Sequence, residues 1–206
     1  MQTSSLSMRS LWPSAGILKT STAFLGLGLL CACGGITGSS TTSAPVISSF
    51  QPTALTVNNV VVVTGSGFTN TTSVTIGGAT VNSFAASSDS SLSVLVPAAA
   101  ITGPIIVTTT AGTVTSASSF IVIPQITSFT PASGPVATVV TLTGSGFSGA
   151  TSVTFGSETS SLNAPVVVGP NEIIATLDAN GTTGPIQVLA SGVTATSADP
   201  FTVTAQ

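Results

Sequence analysis

Chemistry in this chain of 206 residues would rest on very few side chains: two cysteines, Cys31 and Cys33, and five acids, Asp89, Glu158, Glu172, Asp178 and Asp199. There is no histidine, and the only cations, Arg9 and Lys19, precede all seven. A serine, threonine or cysteine nucleophile therefore lacks the base that ordinarily activates it. A zinc centre lacks its cluster of His and Cys ligands. Paired carboxylates can cleave glycosides, and Glu158, Glu172, Asp178 and Asp199 fall in one half of the chain. Each of these four, however, sits beside an expected turn, where a solvated carboxylate is the plain reading. Asp178-Ala179-Asn180-Gly181 offers oxygen ligands of the kind calcium takes, but one carboxylate is too few for a calcium site. The expectation is a non-enzymatic protein with no catalytic residues, no cofactor and no metal ligands.

The same inventory limits the partners. Only 3% of residues are charged, against about a quarter in ordinary globular chains. From residue 20 onward there is no Lys, Arg, His, Trp or Tyr. Nucleic-acid binding relies on Lys and Arg to neutralise phosphates and release counterions, so nucleic acid is excluded as a partner. Low charge also characterises membrane proteins, yet no apolar run approaches the ~20 residues of a spanning helix.

Ahead of the body, residues 1–22 are basic and Ser-rich, and Ala23 to Cys33 forms an apolar stretch of signal-peptide length. It ends in Leu30-Cys31-Ala32-Cys33. That tetrapeptide resembles the bacterial lipobox, in which a branched apolar residue and a small residue lead to a Cys that is acylated and becomes the first mature residue. Ala32 fits the small position. Acylation at Cys31 would put Leu30 there, which fits poorly. The resemblance implies a signal peptide over 1–32, lipidation at Cys33 and a flexible linker over 33–44. An ordinary secreted signal and an uncleaved anchor are the alternatives. Two or three acyl chains hold a protein firmly where one is marginal. The implied location is the bacterial cell envelope, at the outer membrane or cell surface, with the membrane itself a partner through the lipid anchor.

The elements that would position any surface group come from a repeat. Thr64-Gly65-Ser66-Gly67-Phe68 recurs as Thr143-Gly144-Ser145-Gly146-Phe147, an offset of 79 residues. Phe50 matches Phe129, Val74 matches Val153 and Gly77 matches Gly156 at the same offset. Leu92 with Ile173, Gly103 with Gly184 and Phe120 with Phe201 then match at 81, so the second copy carries a two-residue insertion between Gly156 and Ile173. Two domains are expected, 45–123 and 124–206. Alternation of apolar and polar residues assigns faces: Val61, Val63, Ile105, Val107, Leu92, Val94, Phe120 and Val122 inward, Val62, Ile106 and Ile121 outward. Short strands separated by Gly and Pro turns make each copy an all-β sandwich, without a disulfide because neither copy contains a cysteine.

Several segments carry a family resemblance. Pro45-Val46-Ile47-Ser48-Ser49-Phe50-Gln51-Pro52 parallels Pro124-Gln125-Ile126-Thr127-Ser128-Phe129-Thr130-Pro131. After the pentapeptide come Val74-Thr75-Ile76-Gly77 and Val153-Thr154-Phe155-Gly156, then Gly103-Pro104-Ile105 and Gly184-Pro185-Ile186, and a closing Phe-x-Val. This set resembles the IPT/TIG domain, carried twice over residues 45–204. The resemblance implies tandem immunoglobulin-like sandwiches of the early-set type. One departure is Leu55-Thr56-Val57-Asn58-Asn59, where a glycine turn is usual.

The pentapeptide then reads as a fold marker. Gly65 and Gly67 would permit positive φ at a strand end, and Phe68 would fold back over the core, worth about 1.5–3 kcal/mol on burial. A phosphate-cradling loop would need a following helix and a Lys. For binding, Ile106 and Ile121 are the candidates, as outward residues on adjacent strands where the second copy has Gln187 and Thr202. Scattered surface apolarity is the bland alternative. The expected function is a membrane-anchored envelope lipoprotein acting as a binding or structural module through contacts with another envelope protein. The alternative is a surface adhesin for carbohydrate or matrix polymer, although sugar platforms favour Trp and Tyr, which are absent after residue 20.

Overall fold

A computed structural model describes residues 43–156 and 165–205. The segments assigned above to a signal peptide, Cys33 and most of the linker lie outside the described residues, as does Glu158. The body is all-β, as the alternation predicts. The first copy comprises β1 (Val46–Gln51), β2 (Ala54–Leu55), β3 (Val60–Ser66), β4 (Thr71–Ile76), β5 (Ala79–Thr80), β6 (Phe84–Ser88), β7 (Ser91–Leu95), β8 (Gly103–Thr109) and β9 (Gly112–Val122). The second comprises β10 (Gln125–Thr130), β11 (Ser133–Gly134), β12 (Val139–Ser145), β13 (Ala150–Phe155), β14 (Val166–Gly169), β15 (Glu172–Thr176), β16 (Gly184–Ala190) and β17 (Val193–Val203). A 3₁₀ turn, Phe147–Gly149, follows β12.

Each copy folds as two facing sheets. In the first, the orders are β1-β3-β7-β6 and β2-β9-β8-β4-β5; in the second, β10-β12-β15-β14 and β11-β17-β16-β13. All pairings are antiparallel except the short parallel ladders β2–β9 and β11–β17, where the chain leaves one sheet and joins the other. This is an immunoglobulin-like arrangement. Each sandwich has its own core. Val61, Val63, Leu92 and Val94 from one sheet meet Ile105, Val107, Phe120 and Val122 from the other. Val140, Leu142 and Ile173 meet Ile186, Val188 and Phe201 in the second copy. Every residue expected to point inward is buried, and Val62, Ile121 and Leu189 remain exposed.

The pentapeptide glycines have two different reasons to be glycine. Gly67 and Gly146 have φ of 77° and 72°, in the left-handed region where a side chain is costly. Gly65, expected to share that freedom, instead lies within β3 opposite Ile47. A Cβ there would strike the Val46 carbonyl oxygen and come within 2.7 Å of Phe68 Cζ. Gly144 repeats this against the Gln125 carbonyl and Phe147, whose Cζ would be 2.5 Å away. The missing side chain is the space into which the aromatic ring folds, and Phe68 and Phe147 are fully buried.

The unusual Asn58 turn is also explained. Asn58 has φ 62°, and its counterpart Ala137 has φ 73°. Both backbone amides donate across to the facing strand, to Val96 O at 2.9 Å and Leu177 O at 2.8 Å. Neither copy has glycine at this left-handed position, which asparagine enters more readily than alanine. The glycine of the second copy is Gly134, the counterpart of Leu55, and a Cβ there would strike the Thr138 side chain.

Candidate functional site

The strands at the seam between the two sheets are both bulged. In β1, Ser48 is an extra residue between Ile47, opposite Gly65, and Ser49, opposite Thr64. Thr127 does the same in β10. In β9 the irregularity is larger: Pro104 faces Ser119 but Ile106 faces Thr115. β17 repeats it, with Pro185 facing Pro200 and Gln187 facing Thr196. A buried hydroxyl closes each of these gaps. Ser116 Oγ accepts from Ile105 N at 3.0 Å and donates to Ser118 O at 2.6 Å. Ser197 Oγ accepts from Ile186 N at 2.9 Å and donates to Asp199 O at 2.6 Å. The bulge pushes residues 117–119 and 198–200 out to the surface.

Beside each bulge lies a groove, at equivalent places in the two copies. In the first, a groove of about 190 Å³ runs between β1 at Ser48 to Phe50 and β9 at Ser116 to Ser118. In the second, one of about 270 Å³ runs between β10 at Thr127 to Phe129 and β17 at Ser197 to Pro200. A further groove of about 250 Å³ shares Ile126 and Thr127 with the latter and continues past Gln125 to Ala195 and Thr196. Among the described residues, no backbone hydrogen bond joins β1 to β9 or β10 to β17. The seam is therefore lined by strand edges and hydroxyl side chains.

The two grooves are not chemically alike. Phe50 is buried, at 6% exposure, against Phe120 at a ring separation of 6.1 Å. Phe129 is only half-buried. Where the first copy has Ile76, the second has Phe155, whose ring meets Phe201 edge-on at 5.3 Å, and Phe129 is correspondingly less covered. Ser118 and Ser119 in the first bulge become Asp199 and Pro200 in the second. Asp199, expected beside a turn, is thus a strand residue in the seam, whereas Glu172 stands as expected beside a turn, at the first position of β15 after Pro170-Asn171.

The remaining acids have local roles. Asp89 accepts from the Gly67 amide at 3.1 Å and the Thr69 hydroxyl at 2.9 Å. These bonds, Gly67 first, hold its carboxyl below the usual carboxylate range. Asp178 Oδ1 accepts from the amides of Asn180 at 2.9 Å and Gly181 at 3.1 Å, which makes it the cap of its own turn.

Ile106 and Ile121 both face outward on the same sheet but are not side by side. Ile106 faces Thr115, whereas Ile121 lies beyond the β8 pairing and beside Ala54 of β2. Four residues separate their levels along β8, about 13 Å at strand rise. Ile106 is also half-buried. A count back from the two-residue turn that closes Thr109 onto Gly112 places Ile106 opposite Thr115, and only the irregularity in β9 then alters the level of Ile121. The seam was missed for a different reason, although a signal is present: Ser118 and Asp199 occupy inward-phase positions, where a polar residue is a sign that the strand departs from regular alternation.

The family profile of the IPT/TIG domain matches residues 45–121 and 124–205. The chain belongs to the IPT/TIG family. No curated protein matches the sequence. Among solved structures, the chain is similar to a surface glycan-binding protein of Prevotella bryantii. Identity is 15%, the TM-score is 0.51, and the match covers 77% of this chain and 42% of that one. It is also similar to a protein from a xyloglucan utilization locus of Bacteroides uniformis, at 17% identity, a TM-score of 0.36, and coverage of 78% and 50%. A Bacteroides ovatus protein from a mixed-linkage glucan utilization locus, solved with a heptasaccharide, matches at 17% and 0.31, covering 74% and 43%. At these identities the likeness concerns the fold, and this chain spans half or less of each protein. Within the chain, both IPT/TIG copies present the grooved seam at the same strands.

Proposed function

We propose that this chain is a non-enzymatic cell-surface module whose partner is a neutral extracellular polysaccharide. The observation that carries this reading is the surface chemistry of both sandwiches, rich in Ser and Thr and without one cation from residue 20 onward. Hydroxyl and backbone groups suit polyhydroxylated ligands, whereas an anionic polymer would find nothing to neutralise it. The fold-level likeness to a surface glycan-binding protein adds support. A carbohydrate partner therefore replaces the envelope-protein partner as the preferred reading.

In the same proposal, residues 1–32 are a signal peptide, Cys33 carries the lipid, residues 33–44 tether the body, and 45–123 and 124–206 are the two domains. This would hold the module at the bacterial envelope, with the outer membrane or cell surface as its site. The two experiments are separate. Intact mass of the membrane-extracted protein should give a chain starting at an acylated Cys33; an unmodified start elsewhere removes the anchor. A glycan array probed with the detergent-solubilised protein should light up neutral polysaccharides. A blank array, with specific capture of an envelope protein instead, returns the reading to a protein-contact module.

A further inference from the structure

We propose that the seam between β10 and β17 of the second IPT/TIG domain is the subsite for a linear, neutral glycan, and that the matching seam of the first domain is not. This rests on the glycan-binding reading and assigns it to particular residues. A pyranose ring offers an apolar C–H face and a rim of hydroxyls, so its site needs a small apolar platform beside a few polar atoms. The second seam has both. The half-buried Phe129 and the exposed Pro200 line the same groove as Thr127, Ser128 and Asp199. The Thr127 hydroxyl donates to Thr143 O at 3.0 Å and keeps its acceptor side.

Asp199 is the distinguishing group. Its backbone carbonyl is held by Ser197 Oγ at 2.6 Å, which fixes the bulge, while its carboxylate makes no hydrogen bond to any other described residue. A carboxylate has two oxygens and can accept from two neighbouring sugar hydroxyls, and bonds to an ionised acceptor are the stronger kind. The same charge disfavours anionic sugars. Length also fits. The 270 Å³ groove alone is below the roughly 300 Å³ at which small-molecule sites begin, but it runs on through Ile126 and Thr127 into the second groove, so successive rings of one chain can lie along the seam. In the first domain Phe50 is covered and Ser118 and Ser119 stand in place of Asp199 and Pro200, so the apolar platform and the ionised acceptor are both missing.

The test uses the full chain in native gels containing xyloglucan, mixed-linkage β-glucan or a neutral α-glucan, with alginate as an anionic control. At least one neutral polymer should retard the protein and alginate should not. The double variant D199S/P200S, which gives the second seam the residues of the first, should weaken retardation about tenfold or more with an unchanged unfolding midpoint. Amide shifts on adding an oligosaccharide of the retarding polymer should cluster at Thr127–Phe129 and Ser197–Pro200. If the double variant unfolds early, that shift map decides. Retardation unaffected by the double variant, with shifts elsewhere, overturns the seam assignment and leaves the glycan reading standing. No retardation by any of the three neutral polymers defeats both.

Discussion

In the first sandwich the pentapeptide loop is held by a carboxylate; in the second, no carboxylate among the described residues does so. Both copies make the same main-chain bonds. Gly65 N donates to Ser90 O and Phe68 N to Asp89 O, each at 3.0 Å. Gly144 N donates to Asn171 O at 2.9 Å and Phe147 N to Pro170 O at 3.0 Å. Only the first adds the Asp89 side chain, where the second has Pro170. The seam reverses the pattern, with Ser118 in the first copy and Asp199 in the second. The shared frame of turn and bulge is thus built from glycine, phenylalanine and serine, with no acidic side chain common to both copies. Each copy then places an acid on that frame for a separate purpose, one for local hold and one facing a groove.

The comparison can be broken first at the shared frame. Phe68→Ala and Phe147→Ala should each destabilise their own sandwich by about 3–5 kcal/mol, the usual cost of truncating a buried Phe, read as a lowered denaturant midpoint. If one costs far less than the other, the two plugs are not equivalent. A smaller effect should sharpen the contrast at the second turn. Ala137 holds φ 73° without a side chain suited to it, so Ala137→Gly should stabilise the second sandwich by about 1 kcal/mol, whereas Asn58→Gly should change the first little. Thermal unfolding of the two variants checks this.

The smallest effect is electrostatic. The pKa of Asp89 is depressed in the folded state, so its contribution is present above the ordinary value of 3.8 and is lost as pH falls through the lowered folded value. Acidification below about pH 4 should therefore shift the Gly67 amide resonance and leave the Gly146 amide in place. In Asp89→Asn, the Gly67 shift should vanish. A titrating Gly146 would contradict the assignment.

Much of the frame was legible because its signals are periodic or duplicated. Val61, Val63, Ile105 and Val107 declare their faces by alternation, and the copies vouch for each other wherever one is ambiguous. Lateral position was less visible. Alternation states which face Ile106 and Ile121 share but not how far apart they lie along it. The glycines show a similar limit: composition says that Gly65 tolerates an unusual backbone, while only packing reveals that Phe68 needs the room. The seam escaped because Ser116 looks like one more serine in a Ser-rich strand. Its burial, and the bonds it makes to Ile105 and Ser118, are tertiary facts.

The serine-closed bulge has a bearing on how such a protein can change. In an unbroken strand, positions 118 and 199 would face the core, and altering them would threaten the fold. With Ser116 or Ser197 supplying the missing ladder bond, those positions are turned out beside a groove and uncoupled from the interior. The body therefore contains two places where side chains can be exchanged freely while the architecture persists, and the two copies already differ there.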